Sequence, residues 1–319
     1  MFIGVDYASV DDDAPPDWDG AKACCAQNAS RLTFAILRAA YGTWIDPVFA
    51  RDWAGARTAG LTRGAYLFLR FPYVPTGYTA EHEQPEDQVH AFAHAVGMHD
   101  DHDFVPTIDI EFPGHGLIDT GMSPTEVLTW IRRAWKTFVD VYGVPPMIYT
   151  SARVWADDLH NLPAPDLTDS PLWLAKPWPI AERMPAQTSG VPFIGGKLDP
   201  QIPAPWGARS GDWWIHQYQG DARNLGMVHP DGTFHGLRQC DLSRFNLLQE
   251  GEKSVRVSWV QRRLSLEETG TFDAALASHV AAFQQQLGLD ADAIIGPKTF
   301  AALSWRPAVP QLVTPPTAA

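Results

Sequence analysis

Two rhythms of apolar and polar positions run through the first 249 residues. Short apolar runs rich in β-branched and aromatic residues predict strands. They fall at Phe2–Asp6, Phe34–Arg38, Gly64–Phe68, Val105–Glu111, Met147–Thr150, Leu172–Ala175, Trp213–Tyr218 and Leu237–Asp241. Stretches with helical spacing lie between the earlier runs, at Pro47–Ala59, Pro85–Val96, Pro124–Tyr142 and Ala152–Leu159. Several open on Pro, whose fixed φ and missing N–H suit a first helical turn. Ser123 before Pro124, with Glu126 three residues on, forms a capping-box pattern. Residues 176–212 are dense in Pro and Gly and predict no helix.

Strands alternating with helices imply parallel strands joined by crossovers. Eight of them in this length predict an α/β fold, an irregular (β/α)8-type barrel, with its active site at the C-terminal strand ends. The rhythm changes after residue 249. Apolar positions at helical spacing, Gly270 and Gly288 at helix ends and Pro297 at a helix start predict a second, small three-helix domain. The expected domains are therefore 1–248 and 249–306, with 307–319 a disordered Pro-rich tail.

The strand ends carry the candidate chemistry. One apolar strand closes on Asp109-Ile110-Glu111. Period-2 geometry puts both carboxylates on one face, with Cβ atoms ~6.5–7 Å apart. Two carboxyls in one pocket do not ionise independently, and burial raises one further. The result is a proton donor beside a persistent anion, the pair that glycosidic bond cleavage needs. Asp6 and Asp241 end the first and last strands, which become neighbours when a barrel closes. Four carboxylates around one mouth suit a sugar, and equally a divalent cation. The other acidic pairs, Asp11/Asp13, Asp17/Asp19 and Asp101/Asp103, lie in polar loops and are read as solvated surface.

Composition narrows the classes. A net charge of −13 argues against a nucleic-acid binder. No apolar run reaches the ~18–20 residues of a membrane span. The N-terminus lacks the basic and apolar regions of a secretory signal, so synthesis in the cytoplasm without export is expected. Three cysteines, Cys24, Cys25 and Cys240, are no disulfide framework and are expected to be buried and reduced. His90 and His94 are spaced i, i+4, but no metalloprotease motif accompanies them. No phosphate loop or dinucleotide fingerprint is present, so neither cofactor nor metal is expected.

The ordered set of motifs resembles glycoside hydrolase family 25, the N-acetylmuramidase lysozymes. It comprises Gly4-Val5-Asp6, Phe34 to Gly42, Ala59 to Phe68, Asp109-Ile110-Glu111, Met147-Ile148-Tyr149-Thr150, Pro171 to Ala175, Trp214 to Tyr218 and Cys240-Asp241. The resemblance implies hydrolysis of the β-1,4 bond between N-acetylmuramic acid and N-acetylglucosamine in peptidoglycan. It implies Glu111 as general acid/base and Asp109 as the carboxylate that stabilises positive charge or orients the substrate acetamido group. Asp6 and Asp241 become pocket carboxylates. Tyr66, Phe68, Arg38, Tyr149, Trp173, Gln217 and Tyr218 become substrate contacts. Leu67 departs from the pattern, where the family often carries His.

The run Phe283-Gln284, Gly288-Leu289, Ile294-Ile295-Gly296-Pro297-Lys298-Thr299 resembles the peptidoglycan-binding domain appended to many cell-wall hydrolases. A helical cap packed on the barrel is the alternative for this segment. As a tether it would raise the local concentration of wall substrate. The expectation is a monomeric wall hydrolase whose partner is bacterial peptidoglycan, released at phage lysis. Its alternatives are a non-catalytic wall-binding protein and another glycan hydrolase such as an N-acetylglucosaminidase.

Overall fold

The computed structural model describes residues 2–9, 14–27, 29–77, 83–97, 102–112, 116–175, 202–206, 212–228 and 233–307, with backbone alone at 219–224 and 227–228. The tail from 308, most of 176–212 and part of the 73–86 insert lie outside these residues. Nine strands form one sheet: β1 Phe2–Tyr7, β2 Arg31–Tyr41, β3 Trp44–Ile45, β4 Thr62–Phe68, β5 Thr107–Asp109, β6 Met147–Thr150, β7 Leu172–Ala175, β8 Ile215–Val228 and β9 Phe234–Phe245. The order is β1-β9-β8-β7-β6-β5-β4-β2-β3, and pairing of β1 with β2 closes eight of the strands into a barrel. Strands β1, β2 and β4 to β8 pair in parallel, whereas β9 runs antiparallel to both β8 and β1. The irregularity expected of the (β/α)8-type barrel falls at its last strand. A hairpin replaces the final crossover, because only residues 229–233 separate β8 from β9.

Helices α2 Phe49–Thr58, α3 Pro85–Val96 and α4 Pro124–Tyr142 follow the expected spans. Ser123 caps α4 as a capping box, its hydroxyl accepting from Glu126 N–H while Glu126 reaches back to Ser123. Ala152–Leu159 shortens to one wide turn at Val154–Asp158. Helix α1, Trp18–Gln27, has too weak an apolar periodicity to be read from sequence; the Asp17 carboxylate accepts from Gly20 N–H at its start. All three cysteines are buried, and none is joined in a disulfide.

The barrel interior explains two glycines. A Cβ on Gly4 would lie 1.9 Å from the Phe34 ring, so only glycine lets Phe34 fill the lumen. Gly64 similarly makes room for Ile36 and Phe104.

Helices α5 Val255–Arg263, α6 Ala274–Gln286 and α7 Pro297–Ser304 form the C-terminal unit, which plugs the base of the barrel. Fully buried Phe300 packs its ring against Phe104, Trp214, Phe245 and Trp259, with centroids 4.5–5.7 Å apart. Leu248 and Ile295 exchange two backbone hydrogen bonds across the seam. The Asp169 carboxylate accepts from Arg262 and from Arg263, and its carbonyl accepts from the Trp259 indole. The Trp305 indole donates to the Asp103 carbonyl. These barrel residues precede β5, β7 and β8 or end the antiparallel β9, so the unit sits at the end opposite the carboxyl ends of the parallel strands. Within the unit the Gln284 amide donates to Asp292, Ile294 and Thr299 and accepts from Ala293 N–H. The motif glutamine thus shapes the loop before α7.

Asp103 corrects the reading of the acidic pairs as surface. It is buried and takes a bidentate pair of hydrogen bonds from Arg63, at 2.7 and 2.5 Å, with the Trp53 ring 4.0 Å from that guanidinium.

Candidate active site

The mouth of the barrel gathers groups from strands far apart in sequence. Register sets them at one level: Asp6 lies opposite Asp241, Asp109 beside Tyr149, and Tyr149 beside Trp173. The β5 ladder ends at Asp109, but Ile110 N–H still donates to the Tyr149 carbonyl, which keeps Glu111 on the same face. The clearest sign of convergence is Tyr149. Burial first, then the negative charges of Glu111, Asp109, Asp6 and Asp241, hold its phenol well above the ordinary range. All four acidic residues expected at the mouth act electrostatically on that one hydroxyl.

The carboxylates differ in environment. Asp109 is 4% exposed, and its Oδ1 has no hydrogen-bond partner among the described residues. Burial first, then the charges of Glu111 and Asp6, raises its pKa well above the usual carboxylate range, against a lowering contribution from Arg38. Glu111 is half-buried; burial raises its pKa, and Arg153 opposes the rise. Both carboxyls are thus raised above their ordinary values, the direction that favours a proton donor.

Tyr149 O–H donates to Gln217 Oε1 at 2.8 Å. Gln217 Nε2 donates to Asp6 at 3.1 and 3.2 Å and to Asp241 at 3.0 Å. Gln217 is therefore saturated by protein, unlike the sugar contact expected of it. Trp173 is 2% exposed, lies 4.6 Å beneath the Tyr149 ring and donates its indole N–H to Ser243. It is a floor, with no free face. Arg38 is pinned by two hydrogen bonds to buried Asp46, which also accepts from Ser9. Its charge still acts on Asp109, lowering its pKa. Tyr218 falls on the opposite side of β8, buried beside Cys25, Cys240 and His216, and the expectation of a substrate contact there is corrected. Successive strand residues face opposite sides, so with Gln217 inside, Tyr218 falls outside on the same face as His216. Tyr66 and Phe68 remain half-buried, Tyr66 edge-on to Trp173 and Phe68 against Tyr41.

Two groups escaped the sequence reading. Trp44, on the short strand β3, is 48% exposed and follows the mouth end of β2, with Arg38 5.8 Å from its ring. Arg153 follows the end of β6 and is paired only loosely with Asp158, at 3.4 Å. Its position three residues past a strand end was the available signal. Among the described residues no group of three or more His, Cys, Asp or Glu is arranged to hold a metal ion.

A closed α/β barrel with two carboxyls of raised pKa at its mouth fits the class of acid-catalysed glycoside hydrolases. Comparison makes the family specific. Residues 13–227 match the model of glycosyl hydrolases family 25, and the chain belongs to that family. Residues 253–303 match the model of a peptidoglycan binding domain. The chain is 29% identical over 185 residues to Lysozyme M1 of Streptomyces globisporus, covering 55% of this chain and 56% of that protein. It is 28% identical over 160 residues to the uncharacterized protein YegX of Escherichia coli, covering 50% and 51%. The chain thus spans about half the length of the curated relatives it matches. Its fold is shared with a bacterial lysozyme from Streptomyces coelicolor, at TM-score 0.54 and 21% identity over 77% of this chain and 92% of that one. A muramidase from Acremonium alcalophilum gives TM-score 0.54 and 21% identity over 80% and 96%.

Proposed function

We propose that the protein is a muramidase that hydrolyses the β-1,4 bond from N-acetylmuramic acid to N-acetylglucosamine, and that its C-terminal unit binds the same polymer. The observation that carries this reading is the hydrogen-bonded chain from Tyr149 through Gln217 to Asp6 and Asp241, with Asp109 paired beside Tyr149 and Glu111 two residues on. Glu111, half-open to the mouth, donates its proton to the leaving oxygen and then takes one from water. Asp109 offers its unpartnered buried Oδ1 to a donor on the substrate, for which an acetamido N–H is suited, and counters the developing positive charge. Tyr66, Phe68 and Trp44 supply ring faces to the sugars. The anionic mouth accepts hydroxyl and amide donors.

Mass spectrometry of digested peptidoglycan tests the bond. New reducing ends on muramic acid support the proposal; reducing ends on glucosamine or released peptide stems overturn it. Glu111→Gln is expected to lose at least about 10²-fold in turnover while still sedimenting with intact wall. Near-normal activity of that variant would remove Glu111 from its role. Release at phage lysis is part of the same proposal. Expression inside a susceptible cell tests it: lysis only after the membrane is permeabilised supports it, and export of the intact chain without permeabilisation overturns it.

A further inference from the structure

The register of β1 and β9 sets two carboxylates face to face. Asp6 lies directly opposite Asp241, and side chains so paired stand about 4.5–5.5 Å apart at Cβ. Like charges in that position repel, and Asp6 is only 7% exposed, so solvent does little to screen it. The Gln217 amide fills the gap. One nitrogen donates to both acids, and its oxygen is held by the Tyr149 hydroxyl on the other side. The opposite amide orientation would aim an oxygen at both carboxylates and leave Tyr149 facing N–H groups. Tyr149 therefore selects the orientation, and the amide satisfies the pair.

We propose that Gln217 is a positioning residue that holds Asp6 and Asp241 as two fixed anions and, through Asp6, keeps the proton on the Asp109–Glu111 pair. The inference rests on the glycosidase reading for its kinetic consequence, but not for its structural one. Charge-assisted hydrogen bonds from an amide favour carboxylates over carboxylic acids. Asp109 faces Glu111, Asp6, Arg38 and the Tyr149 phenol, whereas Glu111 faces Arg153 and Tyr149. Of these, Asp6 is the group to which the Gln217 amide donates. Without the amide, the opposed acids take up a shared proton, and one negative charge facing Asp109 disappears. Asp109 and its coupled partner Glu111 then release their protons at lower pH.

The test is Gln217→Met, which keeps the length and removes the donor. Peptidoglycan solubilisation is followed against pH, together with ¹³C NMR of aspartate carboxyl carbons in the full-length chain. Expected are a fall of about tenfold or more in kcat with KM little changed, and an alkaline limb moved down by about half a pH unit or more. A new proton uptake by Asp6 or Asp241 is expected in the NMR titration. Tyr149→Phe removes only the group that orients the amide and is expected to shift the limb in the same direction, by less. A uniform loss at every pH, with limbs and carboxyl titrations unmoved in both variants, overturns the proposal. If the wild-type chain fails to turn over peptidoglycan, the glycosidase reading falls, and the carboxyl titration still decides the role of Gln217.

Discussion

Phe300→Ala probes whether the C-terminal unit is a hanging module or the floor of the barrel. The Phe300 side chain is fully buried and touches four aromatic rings, three of them from the barrel. Truncating a buried Phe to Ala costs about 3–5 kcal/mol, and loss of aromatic pairing puts this site in the upper part of that range. The unfolding entropy converts energy into temperature. At about 2.1 cal/mol/K per residue, a cooperative unit of about 300 residues has an unfolding entropy of about 0.6 kcal/mol/K, so the loss lowers Tm by about 7 °C. A unit of about 50 residues melting alone has about 0.1 kcal/mol/K and would be unfolded at room temperature by the same substitution. Differential scanning calorimetry separates the two cases. One transition displaced by several degrees is expected. A barrel transition at its wild-type temperature, with a second small transition abolished, would refute the docking argument.

By the same reasoning, deleting residues 250–319 is expected to destabilise the barrel itself. Removing α5–α7 strips the cover from Phe104, Trp214 and Phe245 and leaves Asp169 without Arg262 and Arg263. The seam also has a functional consequence. The unit that matches a peptidoglycan binding domain is held at the base, and the catalytic mouth opens at the other end.

Two further predictions follow from the mouth. Asp109→Asn is expected to abolish turnover yet raise Tm at neutral pH. The folded pKa of Asp109 lies above the unfolded value of about 3.9, so the folded state binds more protons and loses stability as pH rises through that window. The gain should vanish below about pH 4 in melting curves, and a variant less stable than wild type at pH 7 would contradict the assignment. Trp44→Ala should raise KM for soluble glycan fragments by about tenfold with kcat and Tm little changed, since the ring is half exposed and its loss leaves no core cavity. An unchanged KM would remove Trp44 from the sugar path.

What could be read from sequence was whatever is encoded locally. Pro85 and the Ser123–Glu126 capping box mark helix starts within a few residues of themselves, so α3 and α4 are legible in full. Short apolar runs name β6 and β7, and a strand that turns polar at its C-terminal end exposes Asp109 and Glu111 as candidates. The resemblance to family 25 was legible because order and spacing survive without coordinates. The tertiary structure decided what depends on partners distant in the chain. It showed β9 returning antiparallel, which sets Asp241 opposite Asp6, 235 positions away. It decided which face of β8 meets the mouth, placing Gln217 inside and its neighbour Tyr218 outside. It converted Asp103 from apparent surface to a buried partner of Arg63, and Phe300 from a helix position into the floor of the lumen. The physical reason is common to all of these: a periodic pattern states which face of an element is buried, but the partner against that face is set by closure of the barrel, where packing and pairing join segments that carry no local record of each other.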